Sequence, residues 1–388
     1  KDALEFNSRT LEIRKHPEGD MHYARWYGTS INLPNGDVFV IGGESGTKNE
    51  ASSIPEVWSP DTGFVEKRGA QFPAIARFNF KNRFWFYPHT YVNSSGEIIV
   101  IIGHGRNTNV YLIDVEGNGS IDKIGTKPFD SNKLGASIMY NIDRVAFLAD
   151  DGALWVADIS DSREPIFTQK TNIGWGRTNA GMSMLPDGRV IITGGGNSTE
   201  GDGNDINKAV RNVQIWDPVA NTVFTGPKED LPRLYHSSSL MLPDGTMFSA
   251  GGGAPGPLKN LNGQIYKPGY LFEPGTDDLA ARPVIENWSQ NIQAGESFLI
   301  AVDSLSEIDK VTATKPGSMT HARNCDARWL SLDFDLVNGG PEIRVYTPGR
   351  NIMIPGIWMI SVIDRSGVPS KARLFGVSMA PLPDPSSE

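Results

Sequence analysis

The chain has 388 residues, of which 39% are hydrophobic and 21% are charged, and it includes 42 glycines and 26 prolines. This composition indicates a turn-rich, mainly β globular protein, and the length predicts two domains or a repeat array with a smaller domain. The net charge of -9 gives no reason to expect nucleic acid or anionic lipid as a partner. No apolar run approaches the roughly 20 residues of a membrane span, and no signal-peptide core is present. We therefore expect a soluble chain whose start is mature or truncated.

An internal repeat begins near the start of the chain. Residues 33–43 read LPNGDVFVIGG, residues 185–195 read LPDGRVIITGG, and residues 242–252 read LPDGTMFSAGG, with a weaker copy, NSSGEIIVIIG, at 93–103. Each strong copy has a turn sequence that suits a tight hairpin, then a short apolar strand and a glycine pair. Most copies precede a second strand with an aromatic residue, as in VQIWDPVANTVFTG. Each repeat is therefore predicted to be a small β-meander.

The repeat units predict a propeller. Residues 135–168 supply one more four-stranded unit, which gives about five blades. Units of roughly 45 to 60 residues with glycine pairs near the axis are typical of kelch-type propellers. A β-sandwich is the alternative, but it does not require a diglycine after the second strand of each hairpin pair. We predict a β-propeller over residues 1–280.

The pattern changes from Arg282 onward. Short strands alternate with turns at close intervals and carry no repeat motif. About a hundred residues of this kind suit an immunoglobulin-like sandwich, which we predict over residues 281–388. The tail PLPDPSSE is rich in Pro and Ser and is expected to be loose.

Cysteine content and glycosylation sequons bear on the compartment. The single cysteine, Cys325, excludes an internal disulfide framework and a cysteine-rich metal site. Four Asn-x-Ser/Thr tripeptides begin at Asn93, Asn118, Asn197 and Asn287. They suit a secreted, extracellular glycoprotein, although such tripeptides also arise by chance.

Two histidines and two tyrosines stand out by their positions. His236 follows Tyr235 immediately before the first strand of the last repeat, and His321 lies in a predicted hairpin of the C-terminal region. Tyr27 and His236 each precede the glycine of their next turn by nine residues. Repeats aligned in this way bring such side chains around one axial mouth.

This residue set favours a copper site. Imidazoles and phenolates together match the nitrogen and oxygen donors that Cu(II) prefers, but such residues near strand starts are also common packing groups. The candidates for contacts with a substrate are Tyr87, His89, Arg177 and Asn179, which lie just before or within inner strands. Ordinary loop packing is the alternative for each of them. The guanidinium of Arg177 could hold a carboxylate or a hydroxyl.

Several segments resemble successive landmarks of the galactose oxidase and glyoxal oxidase family of copper radical oxidases. They are RWYGTSINLPNGDVFVIGG, RLYHSSSLMLPDGTMFSAGGG, QIYKPGYLFEPG, RPVI, SMTHARNCDARW and IPGIWMISVIDRSGVPS. They follow in order over essentially the whole chain, and the pairing of RWY with Tyr87-Pro88 leans toward the glyoxal oxidase branch. The resemblance implies an all-β fold, a kelch-type seven-bladed β-propeller (incomplete in this chain) followed by an immunoglobulin-like (E-set) β-sandwich.

The resemblance also implies roles for four residues around one copper ion per chain. Tyr27 matches the ligand that holds the tyrosyl radical, and Tyr235 matches the axial ligand that acts as base. His236 and His321 match the remaining ligands, with His321 delivered by the C-terminal domain through the centre of the propeller. The implied reaction oxidises a small alcohol, aldehyde or sugar with O2 and releases H2O2.

The sequence departs from the family pattern in three respects. The family joins the redox tyrosine to a cysteine through a thioether, whereas Cys325 stands beside the second histidine motif. Ser45 stands where galactose oxidase stacks a tryptophan over the cofactor. Only about five and a fraction of the expected seven blades are recognised, so a separate N-terminal fragment is a predicted partner that closes the ring.

These departures keep other functions open. A propeller that serves as a non-catalytic binding or structural module, with a degenerate copper site, is the main alternative to the oxidase. A lectin-like module that binds glycans has only the exposed aromatic residues in its favour.

Overall fold

The computed structural model describes residues 2–378 except 8–9, 48–49, 73–85, 103–107, 131–134, 198–203, 322 and 338–339. Within these ranges the fold is all-β, without an α-helix. None of the described helical segments is long and apolar enough to cross a membrane. Four short 3-10 turns lie at Arg68–Ala70, Ile206–Lys208, Gly269–Leu271 and Leu305–Glu307.

The first part of the chain folds into consecutive antiparallel sheets. A two-stranded sheet, β1 (Asp2–Asn7) and β2 (Glu12–Asp20), precedes four sheets of four sequential strands and one of three. The strands of these blades are β3 (Trp26–Asn32), β4 (Val38–Glu44), β5 (Glu56–Ser59), β6 (Gly63–Glu66), β7 (His89–Val92), β8 (Ile98–Ile102), β9 (Thr108–Asp114), β10 (Ser120–Lys127), β11 (Ser137–Asn141), β12 (Arg144–Leu148), β13 (Ala153–Asp158), β14 (Ile166–Asn172), β15 (Gly181–Met184), β16 (Val190–Thr193), β17 (Asn212–Asp217), β18 (Thr222–Lys228), β19 (Ser237–Met241), β20 (Met247–Gly251) and β21 (Gly263–Tyr266).

Apolar side chains hold neighbouring blades together. All five residues of β8 are buried, because blades cover both faces of this strand. A separate cluster of buried hydrophobic residues lies between each consecutive pair of blades from β3–β6 to β19–β21. Continuous apolar strands are what burial on both faces requires. The blades therefore stack face to face, as the repeats predict.

The rest of the chain forms a two-sheet sandwich. One sheet has the order β22-β24-β30-β29 and the other β23-β32-β31-β25-β28, and they enclose a core that includes the fully buried Trp358. The strands are β22 (Ile285–Trp288), β23 (Asn291–Gln293), β24 (Ser297–Val302), β25 (Ile308–Lys315), β26 (Ser318–Thr320), β27 (Arg323–Cys325), β28 (Arg328–Leu332), β29 (Phe334–Leu336), β30 (Glu342–Tyr346), β31 (Gly356–Asp364) and β32 (Arg373–Ser378). We propose the domain boundary near residue 281, in the strand-free segment before β22.

The hairpin β26–β27 leaves the sandwich and enters the propeller. Its strands contact β3, β11, β15 and β19, the first strand of four different blades. Arg323 of β27 also pairs in parallel with Ser137 of β11, which joins the hairpin to that blade as one six-stranded sheet. The first strands therefore surround the hairpin, which occupies the axis of the propeller.

Apolar surface is exposed at the first and last of these sheets. In the β1–β2 sheet, Leu4 and Ile13 are each 67% exposed, and in the three-stranded blade Phe248 and Ile265 are 37% and 51% exposed. A closed propeller covers such faces with neighbouring strands.

Candidate metal centre

The blade entries share an unusual backbone conformation. Tyr27, Tyr87, Asn179 and His236 each precede a turn glycine by nine residues, and their φ angles are 68°, 48°, 65° and 66°. Left-handed φ is uncommon outside glycine and costs on the order of 1–3 kcal/mol. The nine-residue spacing that Tyr27 and His236 share thus marks a residue with left-handed backbone, which recurs near the start of the first strand in four blades.

The two predicted phenol ligands lie side by side. The hydroxyl oxygens of Tyr27 and Tyr235 are 2.6 Å apart, although the residues are separated by 208 positions in the chain. Tyr235 is buried and packs with Phe86 and Tyr87, with Tyr27 at the edge of the same cluster. One of these hydroxyls donates a hydrogen bond to the other, and both oxygens have lone pairs that could bind one metal ion.

His236 presents one ring nitrogen to the same place. Its Nδ1 lies 2.7 Å from the carbonyl oxygen of Ala254. Because a carbonyl only accepts, Nδ1 carries the hydrogen and Nε2 keeps its lone pair. The ring stacks on Tyr235 at 3.8 Å between centroids and meets His321 edge to face at 4.2 Å.

His321 is delivered by the axial hairpin. It lies in the turn after Thr320, at φ 49°, and its Nδ1 is 2.8 Å from Thr320 Oγ1 and 2.7 Å from the hydroxyl of Tyr87. Its Nε2 is buried without a hydrogen-bond partner. Leaving such a nitrogen unsatisfied costs about 1–3 kcal/mol. Burial, and then the neighbouring His236, lower the pKa of His321 to about 4, so the ring is neutral at pH 7.

These donors fit Cu(II). The group combines two imidazole nitrogens that have lone pairs available with two phenol oxygens, which is a set that copper accepts. In the described part of the chain, no cluster of three or more His, Cys, Asp or Glu side chains could hold a metal. The Tyr27, Tyr235, His236 and His321 group is therefore the candidate metal centre.

Tyr87 belongs to this centre as a support for His321. Its ring stacks on Tyr27 at 5.0 Å, and its hydroxyl bonds His321 Nδ1. Burial raises the pKa of Tyr87, so it stays a neutral phenol. Metal-binding histidines commonly bond a second residue through the other ring nitrogen, which fixes the orientation of the ring.

Trp26 is a neighbour of the centre that the sequence reasoning missed. Its indole stacks on Tyr27, with centroids 4.0 Å apart and planes 25° apart, and half of Trp26 is exposed. The sequence feature that could have indicated this stacking is the RWY triplet, in which Trp26 directly precedes Tyr27. Tyr27 has a left-handed backbone, and the rings of these two consecutive residues are stacked.

Arg177 is buried and bonds its own blade. It is 2% exposed, and it donates from Nε to Gly194 O and from Nη1 to Gln214 Oε1, each at 2.9 Å. Arg25 and Arg233 make the equivalent bond to a glycine carbonyl in their own blades. This hydrogen bond gives Arg177 a structural role that repeats in three blades, and a contact of Arg177 with a substrate stays a prediction.

His89 and Asn179 are also buried. His89 Nδ1 bonds Ser137 Oγ at 2.5 Å, and Arg323 donates to the His89 ring, so this imidazole is engaged in the wall of the propeller. Asn179 is 2% exposed and occupies the blade position equivalent to Tyr27. Of the four predicted substrate residues, the structure brings Tyr87 to the metal-site group.

The chain is similar in sequence and fold to several known proteins. Residues 282–377 match the family model described as "Galactose oxidase-like, Early set domain". Over 93% of its length the chain is 29% identical to galactose oxidase of Gibberella zeae. The chain is therefore similar to galactose oxidase, both over most of its length and in the family model that its C-terminal part matches. It covers 55% of that relative, so it spans about half the length of the galactose oxidase that it matches.

Two further known proteins are similar to this chain. An aldehyde oxidase GLOX of Vitis pseudoreticulata is 24% identical over 91% of this chain and 72% of its own length. A solved fungal alcohol oxidase of the AA5 family, in complex with copper, superposes with a TM-score of 0.85 at 23% identity. The superposition covers 97% of this chain and 80% of the alcohol oxidase, which confirms the fold.

Proposed function

We propose that this chain is a copper radical oxidase that oxidises an alcohol or an aldehyde with O2 and releases H2O2. The observation that carries the proposal is the convergence of Tyr27, Tyr235, His236 and His321, with an unpartnered Nε2 on His321. One copper ion per chain is the cofactor that this group would hold. The relatives named galactose oxidase and aldehyde oxidase support the reaction class.

The two tyrosines of the group have different roles in the proposed reaction. Bound copper would take up one electron and acidify the hydroxyl of the substrate. Tyr235 accepts that proton, which is general-base catalysis by a positioned phenolate. The oxidised Tyr27 abstracts a hydrogen atom from the carbon that bears the hydroxyl. O2 then accepts two electrons and two protons, so each turnover gives one carbonyl product and one H2O2.

The rings around Tyr27 enclose its oxidised form. Trp26 and Tyr87 both stack on the Tyr27 ring. Stacked rings contribute about 0.5–1.5 kcal/mol beyond the burial of area, and they restrict access of water and reductants. Tyr87 remains the candidate for a contact with substrate, since its hydroxyl also reaches the metal-site group. Asn179 remains a second candidate through its equivalent blade position.

The non-catalytic alternative is favoured by the cysteine content. Cys325 lies in β27, where it pairs with Ser318, and burial raises the pKa of its thiol to about 11. A buried thiol of this kind is unreactive. The given chain has no second cysteine that could join Tyr27 in the family's thioether. The comparisons give no support to a separate N-terminal fragment, and the proposal does not include one.

Secretion is part of the proposal and rests on three of the four sequons. Asn118, Asn197 and Asn287 are exposed, whereas Asn93 is fully buried and donates from Nδ2 to the carbonyl oxygen of Ile159. The sequon at Asn93 is therefore closed to a glycan in the folded protein.

A peroxide assay tests the proposed activity. The protein is loaded with one equivalent of Cu(II), oxidised mildly, and given glyoxal, methylglyoxal or galactose in a coupled assay for H2O2. Peroxide formation that is absent from the copper-loaded His321→Ala variant supports the oxidase. A copper-loaded protein that stays inert toward all three compounds supports the non-catalytic alternative.

A further inference from the structure

Arg323 follows the turn that carries His321. In the axial hairpin, Thr320 of β26 pairs with Arg323 of β27, so His321 lies in the turn between them. Arg323 also forms the parallel pairing with Ser137 that joins the hairpin to the propeller. The position of Arg323 therefore determines how far the tip of the hairpin reaches along the axis.

One guanidinium ties the hairpin to two blades. Arg323 is 4% exposed, and its Nη1 donates to the carbonyl oxygen of Gly135, which precedes β11. The same Nη1 lies 2.8 Å from Nδ1 and 2.5 Å from Nε2 of His89, the first residue of β7. These contacts hold the tip from two directions, while Tyr87 holds the His321 ring itself.

The contact of Arg323 with His89 is one between a cation and a neutral ring. Burial, and then the charges of Arg323 and Lys127, hold the pKa of His89 well below its ordinary value, so His89 is neutral. His89 also contacts Ser137 Oγ, which bonds the hydroxyl of Tyr91. A buried guanidinium loses its hydration, so its hydrogen bonds to Gly135 and His89 replace contacts that water would otherwise make.

We propose that Arg323 is a positioning residue for the metal centre. By bonding Gly135 and His89, it fixes the hairpin tip so that His321 faces His236 at a distance at which both imidazoles bind one copper ion. This inference rests on the proposed function, since it concerns the geometry of the same copper site. In this role Arg323 acts through His321.

Copper affinity and the EPR spectrum test the role of Arg323. Cu(II) is titrated into the full chain as wild type, Arg323→Met and Arg323→Lys. Losing a residue that orients a metal ligand commonly weakens metal binding by about 10 to 100-fold. We expect the Met variant to show that rise in Kd and altered copper hyperfine splitting at saturating Cu(II). The Lys variant keeps the charge and is expected to be intermediate.

Arg328 offers a matched control. It is also a buried arginine of the same domain, and it donates from Nη2 to the carbonyl oxygen of Val92 at 2.7 Å, away from the hairpin tip. The Arg328→Met variant is expected to be less stable while its copper Kd and EPR spectrum match the wild type. A general effect of losing a buried guanidinium would instead change both variants alike, which would overturn the inference.

The outcomes separate this inference from the proposed function. A wild type that binds no copper refutes both. A wild type that binds copper, together with an Arg323→Met variant of unchanged Kd and spectrum, refutes only the positioning role. If the Met variant does not fold, the Lys variant decides: a higher Kd with an altered spectrum supports the role, and wild-type values overturn it.

Discussion

Tyr27, His236 and His321 all adopt left-handed backbone conformations, with φ angles of 68°, 66° and 49°. Strain of about 1–3 kcal/mol per residue persists only where the surroundings enforce it, and it is concentrated at functional sites. Here the surroundings are the inner strands of two blades and the turn of the axial hairpin. The same conformation that costs stability brings three side chains from distant parts of the chain to one point.

The hydroxyl of Tyr235 is the predicted base. The Tyr235→Phe substitution keeps the ring and its stacking on His236 but removes the oxygen that lies 2.6 Å from Tyr27. We expect kcat for peroxide formation to fall by about 10²–10⁴-fold, as loss of a general base does, while copper is retained. Steady-state kinetics with metal analysis measures both. Tyr140→Phe, at a buried tyrosine packed on Trp216, serves as the control that leaves kcat unchanged.

The buried imidazole of His89 makes stability depend on pH. Its pKa is held below that of an unfolded histidine, about 6.5, by burial and then by Arg323 and Lys127. Below pH 6.5, His89 therefore binds a proton more readily in the unfolded chain than in the folded chain. Stability therefore falls as the pH decreases below 6.5, with a limiting slope of about 1.4 kcal/mol per pH unit.

Urea unfolding at pH 7 and pH 5 measures this effect. The His89→Gln variant keeps a neutral acceptor for Arg323, and its stability is expected to fall less between the two pH values than that of the wild type. An equal loss of stability in both proteins would assign the pH dependence to other groups, of which His321 is the first candidate.

Residue-scale prediction from sequence worked where the repeat supplied a frame. The nine-residue spacing to the turn glycine placed Tyr27 and His236 in equivalent positions, and both have the same backbone conformation. For Arg177 the spacing placed the residue near the axis but did not indicate the direction of its side chain. The guanidinium bonds its own blade. Trp26 was missed for the same reason.

The element that unites the two parts of the molecule is the segment from β26 to β28. Its hairpin carries His321, and Trp329 of β28 packs on the turn before β16, where its Nε1 donates to Pro186 O at 3.0 Å. The sequence predicted a hairpin around His321 from its turn residues. It could not predict that the hairpin pairs with β11, because that single parallel bridge joins residues 186 positions apart.

The turn glycine at 188 tests this contact. Gly188 has φ 90°, and an added Cβ would lie 2.9 Å from the Trp329 ring, whereas at Gly174, with φ 88°, nothing lies within 4 Å. Gly188→Ala therefore combines a left-handed backbone cost of about 1–2 kcal/mol with overpacking of about 1–3 kcal/mol. Gly174→Ala carries only the first cost.

Thermal and urea unfolding of the two variants distinguish these costs. We expect Gly188→Ala to lose more stability than Gly174→Ala by at least about 1 kcal/mol. Equal losses would mean that the turn does not press on Trp329 in solution.

At the scale of the whole molecule, the surface has specific positions for modification. Produced in a secretory eukaryotic host, the protein is expected to carry glycans at the exposed Asn118 and Asn287 and none at the buried Asn93. Glycopeptide mass spectrometry measures the occupancy of each site. A folded protein that carries a glycan at Asn93 would contradict the burial that the fold gives this residue.

The architecture as a whole was predictable because repeats report on long-range structure. The three strong copies and the one weaker copy of the motif each mark one hairpin, and together with the unit at residues 135–168 they predict the five blades that the structure describes. The change of pattern near residue 282 predicted the sandwich, whose two sheets close on a single apolar core. What sequence could not supply was the direction of individual side chains at the axis.

The most direct test of the account is an EPR measurement on the copper-loaded protein before and after mild one-electron oxidation. The account predicts about one Cu(II) per chain with nitrogen coupling from His236 and His321. It further predicts that oxidation abolishes the Cu(II) signal as a radical on Tyr27 couples to it, and that Tyr27→Phe keeps the signal. A protein that binds no copper, or whose Cu(II) signal survives oxidation in both forms, would contradict the copper radical oxidase.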